Sequence, residues 1–106
     1  MSRSSWIAQQ TVATRALVKF ILDHGSQPDT NLQACLASLE AGDINNALVH
    51  AKLVKPHGMG GISDWWPPVK FDNENPEYVA TLLEALVNNW CRLISLSFET
   101  EPQGSN

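Results

Sequence analysis

The chain is expected to fold as an all-α domain: four helices in a bundle-like arrangement, with a long ordered loop (about 55–75) between the third and the fourth. Three observations carry that expectation. Apolar residues recur three and four positions apart in separate stretches, the spacing of one helix face. Those stretches are punctuated by Gly25, Pro28, Gly42, Pro56 and Pro76. Hydrophobic residues make up 43 % of the chain and charged residues 17 %. That is too apolar for a disordered chain, yet no apolar run is long enough to span a membrane. The 106 residues suit one domain, read as 1–98, followed by a flexible polar tail, 99–106, that holds Pro102 and Gly104.

The first helix is placed at 5–24. Trp6, Ala13, Leu17, Phe20 and Ile21 share one side, and Ile7, Val18 and Leu22 widen the apolar arc. An arc that wide calls for more than one neighbour. Gly25 stops the helix, and His24 reads as a helix-end residue favoured by the dipole. Thr30 opens the second helix, with Gln33 completing a capping box, and Leu32, Cys35, Leu36 and Leu39 form its stripe. Gly42 ends it. Asp43 caps the third helix, which turns Ile44, Ala47, Leu48 and Ala51 inward and runs to about Val54 before Pro56. So short a turn makes these two helices an antiparallel hairpin. Asn75-Pro76-Glu77 reads as cap, first helical position and favourable first-turn charge. The fourth helix carries Val79, Leu83, Leu86, Trp90, Leu93 and Ser97 along one face, broadened by Leu82, Val87 and Ile94. The first, third and fourth helices and the loop are expected to share the core.

Charge narrows the partners. The net charge is −4, and the seven Lys and Arg residues are scattered. No basic cluster is available to neutralise phosphates, so nucleic acid is not expected as a partner. No membrane segment is expected either. No long apolar region follows Arg3, so no signal peptide is expected. Cys35 and Cys91 lie among apolar residues, which favours two reduced core thiols in a cytoplasmic protein over a disulfide. No Cys/His spacing suggests zinc, and no metal or cofactor is expected.

The candidate site is the segment His57-Gly-Met-Gly-Gly-Ile-Ser-Asp-Trp-Trp-Pro-Pro68, which holds two of the four tryptophans. A loop of about twenty residues is uncommon in a small domain and is usually functional or disordered. Ile62, Trp65, Trp66, Val69 and Phe71 call for burial, so this loop is expected to fold back on the helices. Gly58, Gly60 and Gly61 are its structural residues, giving freedom for a tight path. Trp66 precedes Pro67 and is pushed toward extended backbone, where neighbours point to opposite sides. One tryptophan of the pair then anchors the loop and the other is more exposed.

The bland role for this loop is a strap closing one end of the bundle, and the functional role is a binding surface. The candidate binding residues are His57, Met59, Asp64, Trp65, Trp66, Pro67 and Pro68. Asp64 is expected to pin the loop by accepting N–H groups of its own turn or of the glycine segment. A phosphate loop is disfavoured because the glycines lead into Trp-Trp-Pro-Pro rather than a helix. A triad of His57, Asp64 and Ser63 is disfavoured because adjacent residues cannot reach opposite nitrogens of one ring. A metal site on His24, His50 and His57 lacks carboxylates at a recognised spacing. No catalytic residue is assigned.

From Gly58 to Trp65 the sequence resembles a family of small bacterial helical proteins of unknown function. Their loop reads Gly-Met-Gly-Ser, an apolar residue, Asn-Asp and another apolar residue. Gly58, Met59, Gly60, Ile62, Asp64 and Trp65 fit that pattern, while Gly61 replaces its Ser and Ser63 its Asn. The resemblance implies helices on both sides of the motif and, by association, an immunity or adaptor role.

The function expected is therefore protein–protein interaction through residues 57–68, without catalysis. A homodimer is expected, with the first helix and the exposed loop tryptophan at its interface. The alternative is a small-molecule site between the loop and the last helix, lined by Trp65, Trp66, Met59 and Trp90.

Overall fold

The computed structural model describes residues 3–57 and 59–100, with side chains described over 5–57 and 59–94. Four α-helices make up the fold: α1 (Arg3–Asp23), α2 (Thr30–Glu40), α3 (Ile44–Leu53) and α4 (Pro76–Thr100). A 3-10 turn, Ile62–Asp64, lies in the long connection between α3 and α4. Among the described residues there is no strand, and no helix is long and apolar enough to cross a membrane. The fold is all-α, as the periodicity implies. Helix α4 continues through Thr100, two residues into the segment read as tail, and 101–106 lie outside the described residues.

The helix ends follow from local chemistry. Asp43 caps α3 by accepting the Asn46 N–H at 3.2 Å, and Asn75 caps α4 by accepting the Tyr78 N–H at 2.8 Å. The start of α2 differs from expectation. Its cap is Asp29, which accepts the Asn31 N–H at 2.7 Å, while the Gln33 amide donates to the Pro28 carbonyl at 2.9 Å. A carboxylate one residue earlier takes the position assigned to Thr30. Between α2 and α3 the chain reverses at Gly42, whose φ of 78° lies in the left-handed region that a side chain disfavours.

The core is built on all four helices. Leu17, Phe20 and Ile21 of α1 meet Leu32, Cys35 and Leu39 of α2, Ala47 and Ala51 of α3, and Val79, Leu83, Val87 and Trp90 of α4. Helix α2 is therefore a full core element, a correction to the expectation that placed the core on the other three helices and the loop. On α4 the buried line runs Val79, Leu83, Val87, Trp90 and Ile94, so Val87 and Ile94 take the central places expected of Leu86 and Leu93. Ser97 lies among residues whose side chains are not described. Trp6 and Ile7 are half-buried and Val18 is buried, but Leu22 is exposed. Gln10 and Thr14 are buried polar residues within α1, and the Thr14 hydroxyl donates to the Gln10 carbonyl at 2.7 Å. Both cysteines are free thiols, and burial pushes the Cys35 thiol up to about 11.

The molecule is elongated, 50 × 26 × 19 Å, with a radius of gyration of 14.4 Å. A compact chain of this length would have a radius of gyration of about 13 Å. The excess comes from helix length. Helix α1 has 21 residues and α4 has 25, against 11 for α2 and 10 for α3. At about 1.5 Å per residue the long pair outruns the hairpin. The end of α1 meets the residues just before α4, so the long pair is antiparallel. The turn of the hairpin lies beside Ala8, Thr11 and Arg15 of α1, while the other end of the long pair holds the loop.

Candidate functional site

The loop leaves α3 at Val54 and closes on itself at once. The Lys55 carbonyl accepts the Ile62 N–H at 3.0 Å, and the Pro56 carbonyl accepts the Ser63 N–H at 2.9 Å. These two bonds join the ends of a seven-residue excursion around Met59. Lys55 Nζ reaches across to donate to the Met59 carbonyl at 2.6 Å. Asp64 Oδ2 accepts the Gly60 N–H at 3.2 Å, which is the pinning role expected of it. Gly61 is buried, and a Cβ there would stand 2.7 Å from the His57 carbonyl oxygen, so only glycine fits. Gly58 lies outside the described residues.

The paired tryptophans divide as the alternation requires. Trp65, extended at φ −85° and ψ 137°, is half-buried and packs edge-on against Phe20, ring centroids 6.3 Å apart. Trp66 is 80 % exposed, and Met59 is 86 % exposed. Pro67 is buried and Pro68 is exposed, so of the two prolines only Pro68 is open to a partner. His57 is exposed, and its Nδ1 is hydrogen-bonded to Ser63 Oγ at 3.0 Å. Asp64 holds Gly60, which leaves the Ser63–His57 contact as a pair.

The histidines are dispersed. His50 Nδ1 lies 3.1 Å from Asn31 Oδ1, and His24 Nε2 lies 2.9 Å from Glu74 Oε2. Among the described residues no three His, Cys, Asp or Glu side chains are grouped to hold a metal ion.

Two shallow concavities flank the loop. One, of about 180 Å³, lies between the loop and α4 and is lined by Ser63, Trp65, Trp66, Ala80 and Glu84. It contains both loop tryptophans but neither Met59, which stands out in solvent, nor Trp90, which is 2 % exposed in the core. The other, of about 250 Å³, lies between the loop and the α1–α2 turn, with Gln27, Asp29, Lys55, Ile62 and Trp65 among its walls. Both are open to solvent rather than enclosed.

The return arm contains what the sequence did not signal. His24 is 4 % exposed, stacked on Phe20 with ring centroids 4.1 Å apart and met edge-on by Phe71 at 5.6 Å. Its Nδ1 contacts the Phe20 carbonyl at 2.8 Å, which is the helix-end role expected of it, but its Nε2 is committed to Glu74. Glu74 Oε1 accepts the Lys70 and Phe71 N–H groups at 3.1 and 3.2 Å. Burial raises the Glu74 carboxyl, but the Lys70 N–H, the His24 ring and the Phe71 N–H together hold it below its usual value. The chain Trp65–Phe20–His24–Phe71 thus ties both arms of the loop to the end of α1. Comparison with protein-family models, with curated proteins and with solved structures finds no match to this chain.

Proposed function

We propose that this protein is a small interaction module that works through the 57–68 loop, without catalysis, and most simply by pairing with a second copy of itself. The observation that carries this reading is the exposure of Trp66, at 80 %, and of Met59, at 86 %, on a loop that is otherwise fastened down. Trp66 follows a residue whose N–H is bonded to Ile62 and precedes Pro67, so covering it costs less entropy than covering a tryptophan on a free chain. Tryptophan is also the side chain most enriched at the centres of interfaces, and Met adapts to varied surfaces.

Self-pairing is favoured because the exposed apolar residues are not confined to the loop. Val12 and Leu22 of α1 are 60 % and 49 % exposed, and Val69 and Phe71 continue the loop surface. A cytoplasmic setting fits the two free thiols, and an adaptor or immunity-like role in a bacterium fits the loop motif. Hydrogen–deuterium exchange at low and high protein concentration tests the reading. The backbone of residues 57–68 should gain protection as concentration rises. Equal exchange at all concentrations would remove self-pairing through this loop.

A further inference from the structure

The pair His24–Glu74 is closed to water, with side chains 4 % and 7 % exposed. Nδ1 lies 2.8 Å from the Phe20 carbonyl oxygen, and Nε2 lies 2.9 Å from Glu74 Oε2. A carbonyl oxygen only accepts, and so does an ionised carboxylate, whereas a neutral imidazole has a single N–H. The closed arrangement therefore needs a proton on each ring nitrogen, or else a protonated carboxyl in place of one of them. The second form is disfavoured by the other oxygen, Oε1, which already accepts the Lys70 and Phe71 N–H groups. The geometry is that of an imidazolium facing a carboxylate.

We propose that His24 and Glu74 form a proton-dependent latch that holds the return arm of the loop, residues 70–75, on the end of α1. The latch closes when both ring nitrogens carry protons and opens when the imidazolium loses one. Without that proton, one nitrogen presents a lone pair to an acceptor in a site that excludes water, a contact that strongly favours opening. Beside this pair, the arm meets α1 through Phe71, which lies edge-on to the His24 ring at 5.6 Å and is itself 49 % exposed. Glu74 organises the turn through Lys70 and Phe71, its own N–H donates to the Phe71 carbonyl at 3.0 Å, and the next residue caps α4.

Other charged groups stand around the pair. Asp23 on α1 is bound to Lys19 Nζ at 2.7 Å, Lys70 lies along Gly25, Asp72 is in the same turn, and Glu77 is in the first turn of α4. Asp23, Lys70, Asp72 and Glu77 are all exposed and screened by water and salt, so Glu74 is the partner that decides the state of the ring. The latch concerns the arm behind Trp65 and Trp66, and it holds whether or not the loop has a partner.

Because the closed state binds one more proton than the open state with a neutral ring, it is fully formed at lower pH and lost as pH rises. Amide exchange at Lys70 and Phe71, both bonded to Glu74 Oε1, reads the opening directly. Corrected for the intrinsic rate, opening of the wild type should rise with pH, by up to roughly tenfold per unit for the loss of one proton. Glu74→Gln should reverse the slope. Its amide oxygen still accepts both N–H groups, while its NH₂ donates to a neutral ring, so this variant should close as pH rises. A slope of the same sign in both proteins, or no slope in the wild type, overturns the latch. Ring ¹⁵N shifts of wild-type His24 give a test that needs no variant. Both nitrogens should be protonated wherever the Lys70 and Phe71 amides are protected, and one proton should leave in step with that protection. A singly protonated ring beneath protected amides overturns the proposal.

Discussion

At the scale of single residues, the two kinds of tryptophan in this chain should behave as opposites. Trp90 is 2 % exposed in the middle of α4, and Trp90→Ala should cost about 3–5 kcal/mol in a denaturant titration. Trp90→Phe should cost less, because it also removes a buried indole N–H that has no hydrogen-bond partner among the described residues. Trp66→Ala should change the stability of the unpaired chain by no more than about 0.5 kcal/mol, since its ring is in solvent there. Asp64 belongs nearer the second kind. It makes one exposed bond to the Gly60 N–H, so Asp64→Asn should lose less than about 1 kcal/mol. Gly61→Ala is the severe change in the loop, costing about 1–3 kcal/mol, because its Cβ would meet the His57 backbone at 2.7 Å. Thermal melts of these variants check the ranking, and a Gly61→Ala protein as stable as Asp64→Asn would contradict the closed path drawn for the loop.

At the scale of elements, the acid limb of stability isolates the return arm. The Glu74 carboxyl lies below its usual 4.5 in the folded protein: burial pushes it up, but bonds from Lys70, His24 and Phe71 outweigh that. A depressed carboxyl contributes stability that is fully present above the unfolded value and is lost as pH falls through the folded value. Acid titration of Glu74→Gln should therefore show a shallower loss below about pH 4.5 than the wild type, and identical acid limbs would detach Glu74 from the fold's stability. Features set by neighbours in sequence were legible beforehand. Asp43 and Asn75 cap as expected, and Ile44, Ala47, Leu48 and Ala51 face inward. The centre of the α4 face was misplaced because apolar residues stand side by side at Leu86 and Val87, and again at Leu93 and Ile94, so periodicity alone does not rank them. The alternation at Trp65 and Trp66 said that one would anchor, but which one depends on Phe20, far away in sequence. The His24–Glu74 pair, 50 residues apart, was not legible: His24 continues the spacing of Leu17, Phe20 and Ile21, but nothing in that spacing points to Glu74.

At the scale of the whole molecule, the layout is a long antiparallel pair, α1 and α4, with a short hairpin packed along part of it and a loop fastened at one end. The exposed ion pair between Arg15 and Glu40, at 3.1 Å, marks where the end of the hairpin lies against α1, and contributes little by itself. What distinguishes the surface is the exposure of Met59 and Trp66 on a loop whose residues 55–65 are hydrogen-bonded to one another. Sedimentation velocity of the wild type and of Trp66→Ala, across micromolar concentrations, tests most directly whether that exposure serves an interaction. The wild type is expected to sediment as a dimer, and Trp66→Ala as a folded monomer with the helix content of the wild type. A wild type that stays monomeric throughout, or a Trp66→Ala protein that dimerises equally well, would contradict the loop as the site of self-pairing.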